Sequence, residues 1–187
     1  MGIEIAFEKF PILETNRLYL REVRLEDAPA MFSYFSKNEV TEYYDLASFT
    51  DEQQAVDLIQ RLQQRYRTGE QLRWAVDLKE QPEQLIGTCG FHAIEPEHFK
   101  AEIGYELHPD FWNKGIMAEV IQQIVHYGFK EMGLNRIEAF YDPANAASRR
   151  VLEKNGFEYE GILKKRFFEK GQFVDAAISA IVNDSHR

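Results

Sequence analysis

The spacing of apolar residues alternates along the chain between the period of strands and the longer period of helices. Residues 17–23 alternate apolar with polar side chains, which is typical of a strand. Pro29 follows two acidic residues, as in the first turn of a helix. Thr50 and Gln53 have the spacing of a capping box, and apolar residues recur behind them at helical intervals as far as Tyr66. The first part of the chain is therefore predicted to form one strand and two helices.

The rest of the chain continues this alternation with more strands than helices. Helical spacing returns over 118–132 and 145–154, and strand patterns occupy 72–78, 85–94, 101–108, 136–141 and two or three segments after 156, with turn-prone residues at 79–84 and 170–171. Neighbouring strands with short connections predict antiparallel pairs, whereas strands joined through a long helix predict a parallel pair. The expected fold class is α/β, a mixed sheet with helices on both of its faces.

Composition narrows the class of protein further. The chain has 187 residues, 44% of them hydrophobic, and no linker-like stretch, so a single domain over 1–187 is expected. No apolar run is long enough to cross a bilayer, the first residues do not resemble a secretory signal, and Cys89 is the one cysteine, which together predict a cytoplasmic protein with no membrane partner. The net charge of −9 argues against a nucleic-acid partner and weakly favours a cationic substrate, although many proteins are acidic for solubility alone.

The junction DFWNKGIMAE, residues 110–119, joins a predicted strand to a predicted helix. The first turn of a helix has unpaired amides and the positive end of the helix dipole, and Gly115 lets a ligand approach the backbone closely. Such a junction suits a phosphate group, but it matches neither a Walker motif nor GxGxxG. On the residues alone, a plain turn and a phosphate site both stay open.

Three separated segments make the pattern specific. ETNRLYLREVRLEDAPAMF, AEIGYELHPDFWNKGIMAE and LNRIEAFYDPANAASRRVLEKNGFEYEGILKK together resemble the GNAT superfamily of acetyl-CoA-dependent N-acetyltransferases. Within it the chain is most similar to the branch of ribosomal-protein N-terminal acetyltransferases, the RimJ/RimL type, over roughly residues 12–182. The resemblance implies the GNAT fold, a central and mostly antiparallel sheet with one splayed parallel strand pair, and acetyl-CoA as the cosubstrate.

The resemblance also assigns the residues that contact the cofactor. The pyrophosphate loop of the family, (Gln/Arg)-x-x-Gly-x-(Gly/Ala), matches Trp112 to Met117, although these two end residues depart from the usual types. The pantetheine arm is expected along the backbone of the strand that precedes the loop. The implied contacts are Glu106, Leu107 and His108 on the strand, Asn113, Lys114, Gly115, Ile116, Met117 and Ala118 in the loop, and Asn145 and Ser148 in an Asn-x-x-Ser pattern.

Two residues are implied in catalysis. Many superfamily members carry a tyrosine as the acid for the departing sulfur, and Leu152 stands in its place here. The resemblance to the ribosomal-protein branch, which uses the serine instead, implies that Ser148 gives this proton. Asn145 and Ser148 also have the spacing of a helix cap, which is an alternative role. Glu102 stands where many relatives have a general base, and a solvated edge carboxylate is an equal alternative. The branch can also carry a carboxylate after EGILK, and Glu169 lies somewhat beyond that segment here.

Tyr43 and Tyr44 lie between the first two predicted helices, where relatives bind the acceptor, and they are expected either to contact the acceptor or to form the hinge of the helix pair. The predicted reaction is acetylation of a primary amine, at best the N-terminal α-amine of a protein such as a ribosomal protein. A small amine (a polyamine, an amino acid or an antibiotic) and a non-catalytic acyl-CoA sensor are the alternatives. No metal is expected, because the histidines lack ligand spacing with Cys89, and a homodimer is left open.

Overall fold

The structure, a computed structural model, describes residues 2–184 as one mixed sheet flanked by helices. The helices are α1 (Ile5–Glu8), α2 (Ala28–Phe35), α3 (Asn38–Thr41), α4 (Glu52–Arg67), α5 (Ile116–Lys130) and α6 (Ala146–Lys154). The strands are β1 (Leu13–Glu14), β2 (Leu18–Glu22), β3 (Leu72–Leu78), β4 (Gln81–Glu95), β5 (Lys100–Leu107), β6 (Arg136–Tyr141), β7 (Glu158–Glu169) and β8 (Gln172–Val182).

The strands form one sheet in the order β1-β2-β3-β4-β5-β6-β8-β7. The β5–β6 pair is parallel, and the other neighbouring pairs are antiparallel. The parallel pair is connected through α5, since a parallel connection must carry the chain back across the sheet. The predicted mixed sheet with one parallel pair is confirmed.

Each face of the sheet buries its own apolar cluster. One cluster packs α5 and α1 on strand residues such as Trp74, Phe91 and Ile137, and the other packs α2 and α4 around Phe35 and Ile59. Alternate residues of a strand point to opposite faces, and β3 and β4 each contribute to both clusters, with Ala75 and Leu85 in the second one. The prediction of helices on both faces is therefore confirmed.

A buried ion pair fixes α2 to the sheet. The Arg21 guanidinium in β2 contacts the carboxylates of Asp27, at the start of α2, and Asp77 in β3, with closest distances of 2.7 and 2.6 Å. Removing one partner of such a pair leaves an uncompensated buried charge and costs about 3–5 kcal/mol. This contact holds the helix that bears on the site described below.

The helix and strand boundaries depart from the predictions in a few places. The cap of α4 is Asp51, whose side chain accepts from the amide of Gln53, while Gln54 returns to the amide of Asp51, so the predicted box at Thr50 and Gln53 was one residue early. The long β4 begins at Gln81, inside the stretch predicted as a turn. Two strands, β7 and β8, close the sheet, which agrees with the predicted two or three. The short elements α1, β1 and α3 had no prediction, because two to four residues carry no readable period.

Candidate active site

The parallel strands β5 and β6 separate after three residue pairs. Lys100, Ala101 and Glu102 align with Arg136, Ile137 and Glu138, and no further pair follows among the described residues. Beyond this point β5 stays paired with β4 as far as Leu107, and β6 stays paired with β8 as far as Tyr141. The two edges that face each other across the gap are therefore unpaired, and an extended ligand with amide groups can satisfy them.

The loop after β5 presents a run of free amides at the end of this gap. Asn113 and Gly115 both have positive φ angles, 60° and 72°, and α5 begins directly after Gly115. No backbone or side-chain acceptor within residues 2–184 takes a hydrogen bond from the amides of 113–118. This run lies at the positive end of a 15-residue helix, which makes it a cradle for an anion.

Trp112, which stands where the family motif has Gln or Arg, is hydrogen-bonded to β5. Its indole Nε1 donates to the Leu107 carbonyl at 2.8 Å, so one of the expected pantetheine contacts already has a partner inside the protein. His108 Nδ1 accepts the Asp110 amide at 3.2 Å and thereby stabilises the turn that follows β5. Lys114 is exposed, and its ammonium lies 5.4 Å from the centre of the Phe111 ring.

Arg17, which the sequence did not single out, clamps the loop from the start of β2. Its Nε donates to Glu119 at 2.7 Å, and its Nη1 donates to the Lys114 carbonyl at 3.0 Å. Burial alone would raise the pKa of Glu119, but the hydrogen bonds from Thr15 and Arg17 outweigh that effect and lower it. These contacts keep the Glu119 carboxylate paired, and they place the Arg17 guanidinium beside the free amides of 113–118.

The start of α6 lies on the other side of the gap. Asn145 caps the helix, since its Oδ1 accepts from the Ser148 amide at 3.0 Å. The Ser148 Oγ lies 2.6 Å from the Tyr105 hydroxyl, and Tyr105 belongs to β5. This hydrogen bond joins the two sides of the gap. Leu152, one turn later, is fully buried in the core and carries no polar group toward the gap.

Glu106 points to the opposite face of β5 and is held by a buried network. Its carboxylate pairs with Arg73, accepts from the Thr88 hydroxyl, and accepts from the hydroxyls of Tyr34 at 3.3 Å and Tyr44 at 3.0 Å. Burial, and then the charge of Glu106, raise the pKa values of Tyr34 and Tyr44, so both hydroxyls stay protonated as donors. Each carboxylate oxygen of Glu106 therefore accepts from two donors, so neither oxygen is free to take a proton from a substrate.

Glu102 lies at the last paired position, where the gap opens. It aligns with Glu138 in β6, and its Oε2 lies 3.3 Å from His92 Nε2 on β4. Gly104 separates Glu102 from Glu106 on the same face of β5. A side chain at Gly104 would approach both Arg73 and His92, at 3.0 and 3.2 Å, so glycine keeps this face of the strand open.

The tip of the β7–β8 hairpin closes the acceptor side. Lys170 Nζ donates to the carbonyls of Thr41 at 2.6 Å and Glu42 at 3.4 Å. Tyr44, two residues after Glu42, contacts Glu106 in β5, so the Lys170 contact joins segment 41–44, on the β5 side of the gap, to the β7–β8 hairpin on the other side. We call residues 41–44, which Lys170 contacts, the bridged segment. Within it Tyr43 is 40% exposed, whereas the Tyr44 hydroxyl donates a hydrogen bond to Glu106.

Glu169, next to the hairpin tip, lies among other carboxylates. Burial, followed by the charges of Asp45 and Asp142, raises its pKa above the ordinary value of a glutamate. Asp45 belongs to the segment after α3, and Asp142 follows β6 directly. Glu169 therefore lies near the segment that follows α3 and near the end of β6.

Comparison with known proteins identifies the family. The family described as "Acetyltransferase (GNAT) domain" matches residues 17–158. The chain is 43% identical over 173 residues to the uncharacterized N-acetyltransferase YoaA of Bacillus subtilis (strain 168), covering 92% of this chain and 97% of that protein. It is 33% identical over 103 residues to the ribosomal-protein-serine acetyltransferase of Escherichia coli (strain K12), covering 55% of this chain and 58% of that protein.

A solved structure agrees with these relatives. The crystal structure of a GNAT-family acetyltransferase from Bacillus anthracis superposes with a TM-score of 0.80 and 32% identity, covering 92% of this chain and 98% of that chain. The chain belongs to the GNAT family and is an acetyl-CoA-dependent N-acetyltransferase.

The site fits the cofactor of this family. The free amides of 113–118 suit a pyrophosphate, and the unpaired edges of β5 and β6 suit the amides of a pantetheine arm. Acetyl-CoA supplies an acetyl thioester that an amine can attack. Within residues 2–184, no cluster of three or more His, Cys, Asp or Glu side chains could hold a metal ion, and no helix is long and apolar enough for a membrane span.

Proposed function

We propose that this enzyme acetylates the N-terminal α-amine of a protein, such as a ribosomal protein. Acetyl-CoA would lie in the gap, with its pyrophosphate on the amides of 113–118 and its pantetheine along Glu106, Leu107 and His108. Ser148 would give a proton to the departing sulfur, and Glu102 would accept the amine proton through a water. Tyr43, on the bridged segment, would face the acceptor.

The observation that carries this proposal is that the two glutamates of β5 beside the gap already have partners within the protein. Glu106 is saturated by four donors, and Glu102 is paired with His92. An α-amine has a pKa of about 7.7–8.0 and a lysine amine about 10.4. Near pH 7.5, roughly a third of the α-amine is neutral, compared with about one lysine amine in a thousand. A site with weak bases therefore favours the α-amine by about two orders of magnitude.

The hairpin bridge gives independent support. The contact from Lys170 to Thr41 and Glu42 joins the two sides of the gap and would narrow the access to it. A narrow entrance would admit a free chain end more easily than a folded surface that carries an internal lysine. The E. coli ribosomal-protein-serine acetyltransferase, which matches about half of this chain, adds weight to a protein acceptor.

A matched acceptor panel tests the proposal. One peptide would carry a free N-terminus and no lysine, a second would have a blocked N-terminus and one lysine, and polyamines, amino acids and an aminoglycoside would complete the panel. Mass spectrometry would report the acetylated product and a thiol reagent would report free CoA. Acetylation of the first peptide alone is expected. Preference for a small amine or for the lysine peptide would reject the α-amine proposal. If no acceptor in the panel causes release of free CoA, catalysis on these acceptors is rejected.

A further inference from the structure

We infer that Tyr105 is a positioning residue for the transfer step. Its hydroxyl donates to Ser148 Oγ across the gap and so turns the Ser148 proton toward the sulfur of the bound thioester. The inference rests on the proposed role of Ser148 as proton donor, but not on which amine is the acceptor.

The direction of the hydrogen bond follows from the partners that each hydroxyl has. Within the described residues, Ser148 Oγ, at 2.6 Å, is the acceptor in reach of the Tyr105 hydroxyl. A phenol is a better donor and a poorer acceptor than an aliphatic alcohol, because its oxygen shares electron density with the ring. Tyr105 therefore donates, Ser148 Oγ accepts, and the single proton of Ser148 is left to point elsewhere.

The surroundings keep Tyr105 in this donor state. Burial raises its pKa, although the contact with Ser148 lowers it in part, and the neighbouring titratable groups are Cys89 in β4 and Tyr141 in β6, both of which raise it further. Burial also raises the pKa of the Cys89 thiol to about 12, so that thiol stays neutral. No group among these neighbours draws the proton away from Tyr105 at neutral pH.

Backbone hydrogen bonds position both Ser148 and Tyr105 for this contact. Its amide is capped by Asn145 Oδ1 at 3.0 Å, and Tyr105 projects from a strand that is paired with β4 along its length. The cap thus fixes the backbone of residue 148, the contact with Tyr105 restrains its side chain, and the O–H bond of Ser148 can still rotate. One donor on Oγ removes most of that freedom, which is the kind of preorganisation that favours a transition state.

The proton balance of the step is simple. The amine nitrogen forms a bond to the acetyl carbon, the carbon–sulfur bond breaks with its electron pair going to the sulfur, and the Ser148 proton moves onto the sulfur to form the free thiol. The proton that the acceptor amine loses, taken up through the water at Glu102, restores Ser148 through solvent. Tyr105 keeps its own proton throughout, so it acts by holding Ser148 and exchanges nothing with the substrate.

The test compares Tyr105→Phe with Tyr141→Phe, a matched removal of a buried tyrosine hydroxyl that also pairs with a serine, Ser179, at 3.0 Å. One measurement needs no acceptor. It is the pKa of the thiol of bound CoA, determined by a pH titration that monitors the ultraviolet absorbance of the thiolate. A hydroxyl aimed at the sulfur holds this pKa below its ordinary value of roughly 8.5, judged from cysteine. Tyr105→Phe should raise the thiol pKa by about a unit and lower kcat about tenfold, with little change in the affinity for CoA.

Ser148→Ala should produce the same rise in thiol pKa, and the double variant should add nothing to either single variant. Tyr141→Phe should leave the thiol pKa unchanged. An unchanged thiol pKa in Tyr105→Phe, additive effects in the double variant, or an equal shift in Tyr141→Phe would each overturn the inference. Because the titration uses CoA alone, a wrong choice of acceptor amine would leave its outcome unaffected.

Discussion

Ser148 has two structural partners, and each implies a different role. Its amide is capped by Asn145, which any helix-start serine could share, whereas its hydroxyl meets Tyr105 across the gap. The cap acts through the backbone amide of residue 148, so replacing the side chain by alanine leaves it intact. The hydroxyl can therefore be removed without disturbing the start of α6.

Ser148→Ala should lower kcat by roughly 10- to 100-fold, at or below the usual contribution of general acid catalysis, because a thiolate leaves better when a proton is supplied. The dissociation constant for acetyl-CoA should change little, since the amides of 113–118 are untouched. Steady-state kinetics and calorimetric binding check the two quantities. An unchanged kcat would assign the residue to helix capping alone.

Glu102 can be tested as a base through pH. Its replacement in Glu102→Gln should be most damaging at low pH and should be partly rescued toward pH 9, where an α-amine of pKa about 7.7–8.0 deprotonates by itself. The measurement is a pH–rate profile of wild type and variant on one N-terminal peptide. A defect that stays constant from about pH 6.5 to about pH 9 would exclude Glu102 as the base.

At the scale of the elements, the loop before α5 depends on a backbone conformation that glycine adopts freely. Gly115 has a φ of 72°, and the nearest atom to an added Cβ would be Arg17 Nη2 at 3.7 Å. Space inside the protein is thus available, and the constraint comes from the φ angle and from the ligand. Gly69 offers a matched control, since its φ is 76° and an added Cβ would meet nothing within 4 Å.

Gly115→Val should raise the dissociation constant of CoA strongly and that of pantetheine, which lacks the pyrophosphate, much less. Both Gly115→Val and Gly69→Val should lose about 1–2 kcal/mol of stability from the strained φ, since a left-handed residue costs about that much. Only the first should lose CoA affinity. Equal loss for CoA and pantetheine, or an equal loss in Gly69→Val, would indicate general damage to the fold.

The β7–β8 hairpin carries a carboxylate whose ionisation opposes folding. The pKa of Glu169 is raised by burial and by Asp45 and Asp142, so its charged form is less favourable in the folded state than in the unfolded state. This destabilisation is present above the folded pKa and disappears below the ordinary glutamate pKa of about 4.3.

Glu169→Gln should therefore raise the melting temperature near pH 7, and the gain should vanish as the pH falls below about 4.3. Thermal melts across this pH range check it, with the exposed Glu97→Gln as the control. A stabilisation that is independent of pH would mean that Glu169 acts through packing and not through its charge.

At the scale of the whole molecule, local patterns predicted the elements and the position of the loop. The strand at 136–141 has the predicted bounds, and α5 begins at Ile116, two residues before the predicted start. These segments are long and strongly periodic, which is the signal that sequence reveals best. The capping residue of α4 was wrong by one position, because Thr50 and Asp51 are both good caps and adjacent.

The sequence did not predict the contacts that shape the site. Tyr105 and Ser148 are 43 residues apart, and Arg17 and Lys114 are 97 residues apart. Each pair meets because the sheet order brings β2, β5, α5 and α6 to one end of the molecule, and no local spacing encodes such a meeting. The saturation of Glu106 by a buried network is likewise a property of the fold, so the roles of the carboxylates could be weighed only from the structure.

If acetyl-CoA in the β5–β6 gap acetylates an α-amine, the enzyme should distinguish an α-amine from a lysine amine through their pKa values. This is measured by kcat/KM as a function of pH for two peptides of one sequence, one with a free N-terminus and its lysine replaced, the other with a blocked N-terminus and the lysine kept. The first peptide should be preferred by about a hundredfold near pH 7.5, and its rate should level off at about pH 9, where nearly all of the α-amine is neutral. A preference for the lysine peptide, or equal rates for the two, would contradict it.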